Sequence, residues 1–132
     1  MSEHPNAQLA RAAWRAVSGG DVDALERILA PDVVWHATAR APWQGDHAGP
    51  QAISDFLARI GELMQVFDAR LDDVLVSADR VAMVFHVRVQ VASRTIEIDY
   101  LLLARVKGGR AAEIWTLPLD PAALAEFFGH RS

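Results

Sequence analysis

The stretch from Val81 to Trp115, VAMVFHVRVQVASRTIEIDYLLLARVKGGRAAEIW, decides the fold. Its alternating pattern predicts three long strands joined by tight turns at Ser93-Arg94 and Gly108-Gly109. Because successive strand side chains point to opposite faces, the first hairpin has one entirely apolar face. The pairs expected across that face are Val91–Ile96, Val89–Ile98, Val87–Tyr100 and Phe85–Leu102.

The opposite face of this hairpin mixes polar and aliphatic side chains: His86, Leu101, Arg88, Asp99, Gln90 and Glu97. Arg88 is expected opposite Asp99, either as a plain cross-strand salt bridge or as part of a site. A buried arginine costs several kcal/mol unless it is paired, so a buried pair would need a reason. We interpret this polar face as one wall of a pocket.

The chain before this meander predicts helices, one strand and a loop. Residues 6–18 have helical apolar spacing, and Asp21 is a good N-cap for a second, short helix. Residues 33–36 suit a strand, and residues 37–49 are irregular and rich in glycine and proline. Pro50 opens a third helix, whose apolar spacing continues to Phe67.

A strand over residues 68–77 leads into the meander, and Ala111–Leu117 forms its last strand. Asp120-Pro121, an N-cap followed by a proline, opens a final helix. Strands gathered in succession, with helices grouped elsewhere, predict an α+β domain with a largely antiparallel sheet.

Composition limits the function. The chain has 132 residues, 52% hydrophobic and 23% charged, a net charge of −4 and no cysteine. These values predict one domain over residues 1–132 and exclude thiolate chemistry and disulfides. The even charge spread argues against nucleic-acid and membrane partners. The start of the chain has no signal-peptide pattern, so a cytoplasmic location is expected.

Three local patterns, in this order, resemble the SnoaL-like branch of the nuclear transport factor 2-like superfamily. They are SGGDVDALERILAPDVVWH at 18–36, APWQGDHAGPQAISDFL at 41–57 and VKGGRAAEIWTLPLD at 106–120. The resemblance implies a cone-shaped α+β barrel, in which helices wrap one face of a curved, mostly antiparallel sheet around a deep pocket. Its members include ketosteroid isomerases, polyketide cyclases and limonene epoxide hydrolases.

The resemblance also implies that the outer sheet face pairs two subunits. One chain has too few helices to cover both sides of the sheet, and monomers rarely expose a large apolar patch. A homodimer is therefore expected through the apolar face: Phe85, Val87, Val89, Ile98, Tyr100, Leu102 and Trp115.

Two histidines are candidates for chemistry. The resemblance aligns His36 with the general-base aspartate of ketosteroid isomerases, and an imidazole exchanges protons near neutral pH. The alternative for His36 is a strand histidine hydrogen-bonded to a neighbour. His86 would face it as an acid, a base or an anchor for a polar ligand group, or would be structural.

Arg88 and Asp99 resemble part of the Asp-Arg-Asp site of limonene epoxide hydrolase. The pattern is incomplete, because Ile114 and Thr116 occupy the inward positions that often carry His or Asp in this family. Leu101 replaces the oxyanion-hole aspartate of the isomerases. These departures from the family pattern weaken the prediction of either epoxide hydrolysis or ketosteroid isomerisation.

The large apolar residues Trp14, Trp35 and Phe56 lie on segments around the pocket and are candidate ligand contacts, although core packing explains most such residues. Leu101, Ile114 and Thr116, at positions that face inward in the family, are candidate ligand contacts as well. Trp43 and His47 lie on the irregular loop that resembles the family's pocket lip, and there they suggest ligand contact. No metal or cofactor is expected.

The sequence thus predicts binding of a small, largely apolar molecule, with cofactor-free proton transfer of the isomerase or cyclase kind as the chemistry. His36 would be the base, and Arg88 or His86 would stabilise an enolate oxygen. The alternative is a non-catalytic ligand-binding or dimerisation module with a vestigial pocket. Epoxide hydrolysis by Asp99 and Arg88 comes third, and whether the protein is an enzyme stays open.

Overall fold

A computed structural model describes residues 4–38, 43–63 and 65–128, with the side chains of Val66, Phe67 and Phe128 excepted. The elements of these residues are α1 (Pro5–Gly19), α2 (Val22–Arg27), β1 (Leu29–Ala37), β2 (Gly45–Ala48), α3 (Pro50–Leu63), β3 (Gln65–Val76), β4 (Arg80–Val91), β5 (Arg94–Lys107), β6 (Arg110–Pro118) and α4 (Pro121–Phe128).

The six strands form one curved, unclosed sheet in the order β2-β1-β6-β5-β4-β3. Strand β1 runs parallel to β6, and the other neighbouring pairs in this order are antiparallel. The predicted α+β class and its largely antiparallel sheet are confirmed. In the described part of the chain, no helix has the length and apolar character needed to cross a membrane.

The predicted helix starts are confirmed by their capping bonds. The Asp21 carboxylate accepts from the backbone N–H of Ala24 at 3.1 Å and begins α2. Asp120 accepts in the same way from Ala123, at 3.1 Å, and begins α4. Such side chains satisfy donors that the first helical turn leaves without intrahelical partners.

Two element boundaries differ from the prediction. Helix α3 ends at Leu63, and Gln65 already pairs with Gln90 in β3, so Phe67 belongs to the strand. Apolar spacing does not separate the end of a helix from the start of a strand, and here pairing with β4 decides the boundary. The loop over residues 37–49 also contains β2, a short edge strand paired with β1.

The first turn of the meander lies one residue earlier than predicted. Ala92 and Ser93 form it, with Ala92 at φ 56°, and Val91 pairs with Arg94. Non-glycine residues rarely adopt positive φ, so the sequence gives no signal for this turn. Each β4 residue therefore pairs with a β5 residue two positions earlier than predicted. A shift of two residues preserves the set of side chains on each face of the sheet.

The apolar face of the meander lies beneath the helices. Trp14 of α1 packs on Phe85 of β4 with ring centroids 5.3 Å apart, and Phe56 of α3 packs on Trp35 of β1 at 5.4 Å. The predicted subunit contact through Phe85 and its neighbours is therefore wrong, because the chain's own helices cover that face. Trp115 alone of the proposed contact residues lies on the other face, opposite Leu103.

Candidate functional site

A cavity of about 530 Å³ lies between the helices and the inner, apolar face of the sheet. Its walls come from α1, α2, α3 and five strands, and nearly all of them are aliphatic or aromatic. Among the lining residues are Leu9, Trp14, Phe56, Phe85, Val87, Tyr100 and Leu102. Alternation along β4 and β5 produces this wall, because residues 85, 87, 100 and 102 all point inward.

Six of the eight predicted ligand contacts line this cavity: Trp14, Trp35, Trp43, Phe56, Ile114 and Thr116. The other two do not. Leu101 lies on the outer face, and the His47 ring stacks on Phe56 with centroids 4.0 Å apart. His47 also bonds through Nε2 to the carbonyl of Trp43 at 3.1 Å, which supports the loop rather than the cavity. Ligand binding by the six stays a prediction.

Three hydroxyl residues, Ser18, Tyr100 and Thr116, interrupt the apolar wall, and two of them are oriented by a tryptophan. The Trp35 indole Nε1–H donates to Thr116 Oγ1 at 2.9 Å, and both side chains are buried. The Trp43 indole donates to the Tyr100 hydroxyl oxygen. Burial raises the pKa of Tyr100 to about 12, against the opposing effect of the Trp43 hydrogen bond. Tyr100 therefore stays protonated at neutral pH.

One acidic residue borders the cavity. Asp68 lies in β3 beside a register shift, is exposed, and has atoms at the cavity edge. Its partner across the strands is Arg88, whose position faces outward. Among the described residues that line the cavity, Asp68 and Tyr100 are the ionisable ones.

The four predicted catalytic residues lie away from the cavity. His36, His86, Arg88 and Asp99 occupy strand positions that alternate with the cavity-lining ones, so they belong to the outer face. Arg88 pairs in register with Glu97 and not with Asp99, as the shifted turn requires. The sequence grouped these residues correctly but assigned them to the wrong side of the sheet.

Each outer-face histidine sits between two carboxylates. His86 Nδ1 is 2.8 Å from Asp99 Oδ1, and its Nε2 is 2.8 Å from Glu97 Oε1. These two hydrogen bonds, with that to Asp99 the larger effect, raise the pKa of His86 above its ordinary 6.5. With both ring nitrogens facing acceptors, the doubly protonated imidazolium is the form that fits.

His36 has the same arrangement across three strands, with His36 in β1, Asp46 in β2 and Glu113 in β6. Its Nδ1 is 2.8 Å from Asp46 Oδ1 and its Nε2 is 2.7 Å from Glu113 Oε2. The bond to Asp46, followed by that to Glu113, raises the pKa of His36 above 6.5. Its ring also stacks on Trp115 at 5.5 Å. In the described ranges, no group of three or more His, Cys, Asp or Glu side chains could hold a metal ion, and this includes the two histidine clusters.

Stability should depend on pH through these histidines. Their folded-state pKa values exceed the unfolded value of 6.5, so the stabilisation is complete below pH 6.5 and is lost as the pH rises through the raised values. We expect the urea midpoint to fall over that window. The His36→Gln, His86→Gln double variant, measured at the same protein concentration, should lose this dependence; an unchanged pH profile would contradict the assignment.

The sequence reasoning did not identify Tyr100, Leu102, Phe85 or Val87 as cavity residues, because it placed them at a subunit contact. A signal was present. Tyr100 is the one tyrosine of the chain, and a tyrosine among aliphatic strand residues needs a partner for its hydroxyl when buried. That requirement favours a cavity wall that carries one polar group over a purely apolar subunit contact.

Comparisons with known proteins agree with this architecture. Residues 10–114 match the family described as "SnoaL-like domain". The uncharacterized protein Rv0034 of Mycobacterium tuberculosis is 26% identical, over 97% of this chain and 99% of that protein. An NTF2-like protein from Burkholderia xenovorans superposes with a TM-score of 0.86 at 25% identity, covering 98% and 99% of the two chains. Bal32a, from a soil-derived mobile gene cassette, gives 0.87 at 27% identity, covering 95% and 97%.

Proposed function

The chain belongs to the SnoaL-like domain family, and on that premise we propose that it binds a small, largely apolar molecule in the cavity between its helices and its sheet. The observation that carries this proposal is the cavity itself. Its volume of about 530 Å³ falls within the range of ~300–1,000 Å³ for small-molecule sites. Its wall is apolar, with a small number of polar groups, which is the usual composition of such sites.

The ligand of this cavity is uncharged. The lining contains no Lys, Arg or His among the described residues, so an anion would lose its hydration without gaining a counter-charge. A cation would meet Asp68 only at the exposed edge. Aromatic side chains from three elements, such as Trp14, Phe56 and Phe85, offer a surface suited to flat or polycyclic apolar compounds.

The geometry favours binding over catalysis. Proton transfer of the isomerase or cyclase kind needs a base within reach of the ligand, and His36 is on the other side of the sheet. Epoxide hydrolysis by Asp99 and Arg88 meets the same objection. The non-catalytic binding module is therefore the function we favour, while the cytoplasmic location and the absence of nucleic-acid and membrane partners stay predictions.

A thermal-shift screen tests the proposal. Uncharged aromatic and terpenoid compounds should raise the melting temperature, and carboxylate analogues of the same skeletons should not. At a concentration ~100 times its Kd, a ligand stabilises the folded state by about 2.7 kcal/mol, on the order of 10 °C for a domain of this size. Absence of stabilisation across all uncharged skeletons would refute ligand binding.

We also propose that the protein is a homodimer, formed through the outer face rather than the face predicted from sequence. The outer patch, Val84, Leu101, Leu103, Trp115 and Leu117, is apolar and lies on the sheet side opposite the cavity and the helices that line it. These residues are half-buried or exposed in the single chain. Charges of both signs surround the patch, including Arg88, Arg105, Glu97 and Asp99, so a second copy related by two-fold symmetry can oppose unlike charges.

A further inference from the structure

Tyr100 carries a polar group on the inner wall that the binding proposal does not yet use. Its ring stacks on Phe85 with centroids 5.6 Å apart and planes 8° from parallel, which fixes its direction. Its oxygen accepts from the Trp43 indole. A phenol hydroxyl also has one hydrogen to donate, and within the described residues no acceptor receives it.

The protonation state of this hydroxyl is fixed. Burial raises the pKa of Tyr100 to about 12, so at neutral pH the group is a neutral donor. Aliphatic residues pack in the same cluster as Tyr100, among them Val87, Val89 and Ile98. In such a low-dielectric setting a completed hydrogen bond is strengthened, and a donor without an acceptor is costly.

Thr116 provides a second donor on the same wall. Its oxygen accepts from Trp35, which leaves the hydroxyl hydrogen without a described acceptor. Thr116 of β6 pairs with Leu102 of β5. Tyr100 lies two residues before Leu102 in β5 and on the same face of the sheet. Both hydroxyls are thus oriented by a tryptophan indole and belong to one side of the cavity.

We propose that the cavity selects uncharged ligands that carry a carbonyl or a comparable hydrogen-bond acceptor, and that the Tyr100 hydroxyl donates to this oxygen with Thr116 as the second donor. This inference rests on the proposed binding function and specifies its ligand class. A hydrocarbon of the same shape fills the cavity but leaves the donor unpaired. Discrimination therefore comes from the buried polar group, as in sites that reject analogues lacking one hydrogen-bonding atom.

The test compares 9-fluorenone with fluorene, two tricyclic probes that differ in the carbonyl group. Calorimetric titration of the wild-type protein should show tighter binding of the ketone, by about 2- to 12-fold for one neutral hydrogen bond. Tyr100→Phe keeps the ring and removes the hydroxyl, so it should lower this ratio without weakening fluorene. The Tyr100→Phe, Thr116→Val double variant removes both donors and should bring the ratio to about one. The Thr95→Val variant, which removes a hydroxyl from an exposed outer-face position of β5, is the matched control.

A measurement on the wild-type protein keeps the inference falsifiable if a variant fails to fold. The carbonyl stretching frequency of bound, ¹³C-labelled 9-fluorenone should be lower than in hexane, as expected for a hydrogen-bonded carbonyl. The inference is overturned, and ligand binding stands, if both probes bind, the carbonyl frequency of the bound ketone equals that in hexane, and Tyr100→Phe leaves the ratio of the two affinities unchanged. If neither probe binds, the proposed function fails together with the inference.

Discussion

The Leu102→Trp variant is expected to bind 9-fluorenone about 70-fold more weakly than the wild-type protein. Leu102 lines the cavity and packs against two clusters of core residues. An indole at this position occupies part of the space that the ligand uses. If ~100 Å² of ligand contact is lost, the cost is about 2.5 kcal/mol at ~25 cal/mol per Å². That energy corresponds to roughly 70-fold in Kd.

The matched control is Leu101→Trp, the same substitution one residue earlier. Leu101 pairs with Val84 on the outer face, so its indole leaves the cavity unchanged. Calorimetric titration of both variants with 9-fluorenone compares the same substitution, leucine to tryptophan, on the two faces of one strand. Equal loss of affinity in the two variants, or no loss in Leu102→Trp, would contradict the placement of the ligand.

The Leu103→Glu variant is expected to be monomeric at concentrations where the wild-type protein is a dimer. Leu103 lies beside Trp115 in the outer patch and is half-buried in one chain. A carboxylate there remains hydrated in the monomer but would lose its hydration at an apolar contact. A cost of about 3 kcal/mol, within the range for unpaired interface charges, raises the dimer Kd roughly 150-fold.

Sedimentation equilibrium at micromolar concentrations measures this effect. Val22→Glu, an equally drastic change at an exposed position that begins α2, should leave the dimer intact. A Leu103→Glu protein that keeps the wild-type mass would place the contact elsewhere. If the wild-type protein is itself monomeric at these concentrations, the proposal of a dimer is refuted.

Much of the fold follows from local sequence chemistry. Asp21 and Asp120 are short acidic side chains at points where a helix can begin, and both make the expected capping bonds. Gly108 and Gly109 adopt φ of 60° and 76°, which suits the predicted tight turn. The turn at Ala92 has no such signal, because its positive φ is imposed by the pairing of β4 with β5.

The site was harder to predict, for a physical reason. Alternation determines which side chains share a face, and the groups containing Tyr100 or His86 were correctly separated. It does not determine which face the helices cover, because that depends on packing between distant parts of the chain. The apolar stripes of the helices cover the more apolar face of the sheet, and Trp14 on Phe85 is the contact that establishes this.

The histidines illustrate the same limit. A polar group on a partly aliphatic strand face suggested a pocket, whereas His86 and His36 each bond to two carboxylates on neighbouring positions. The alternative considered for His36, a strand histidine hydrogen-bonded to a neighbour, describes what the structure contains. Glu97 and Asp46, which complete the clusters, reach these rings through register and edge pairing that the sequence did not specify.

The three consecutive leucines of β5 provide the most direct test of where the ligand binds. Protein labelled with ¹³C in its leucine methyl groups, mixed with 9-fluorenone, would be examined for intermolecular nuclear Overhauser effects. If the ligand occupies the cavity, cross-peaks are expected from the ligand to Leu102 and none to Leu101 or Leu103. Cross-peaks to Leu101 and Leu103 without Leu102 would place the ligand on the outer face and contradict binding in the cavity.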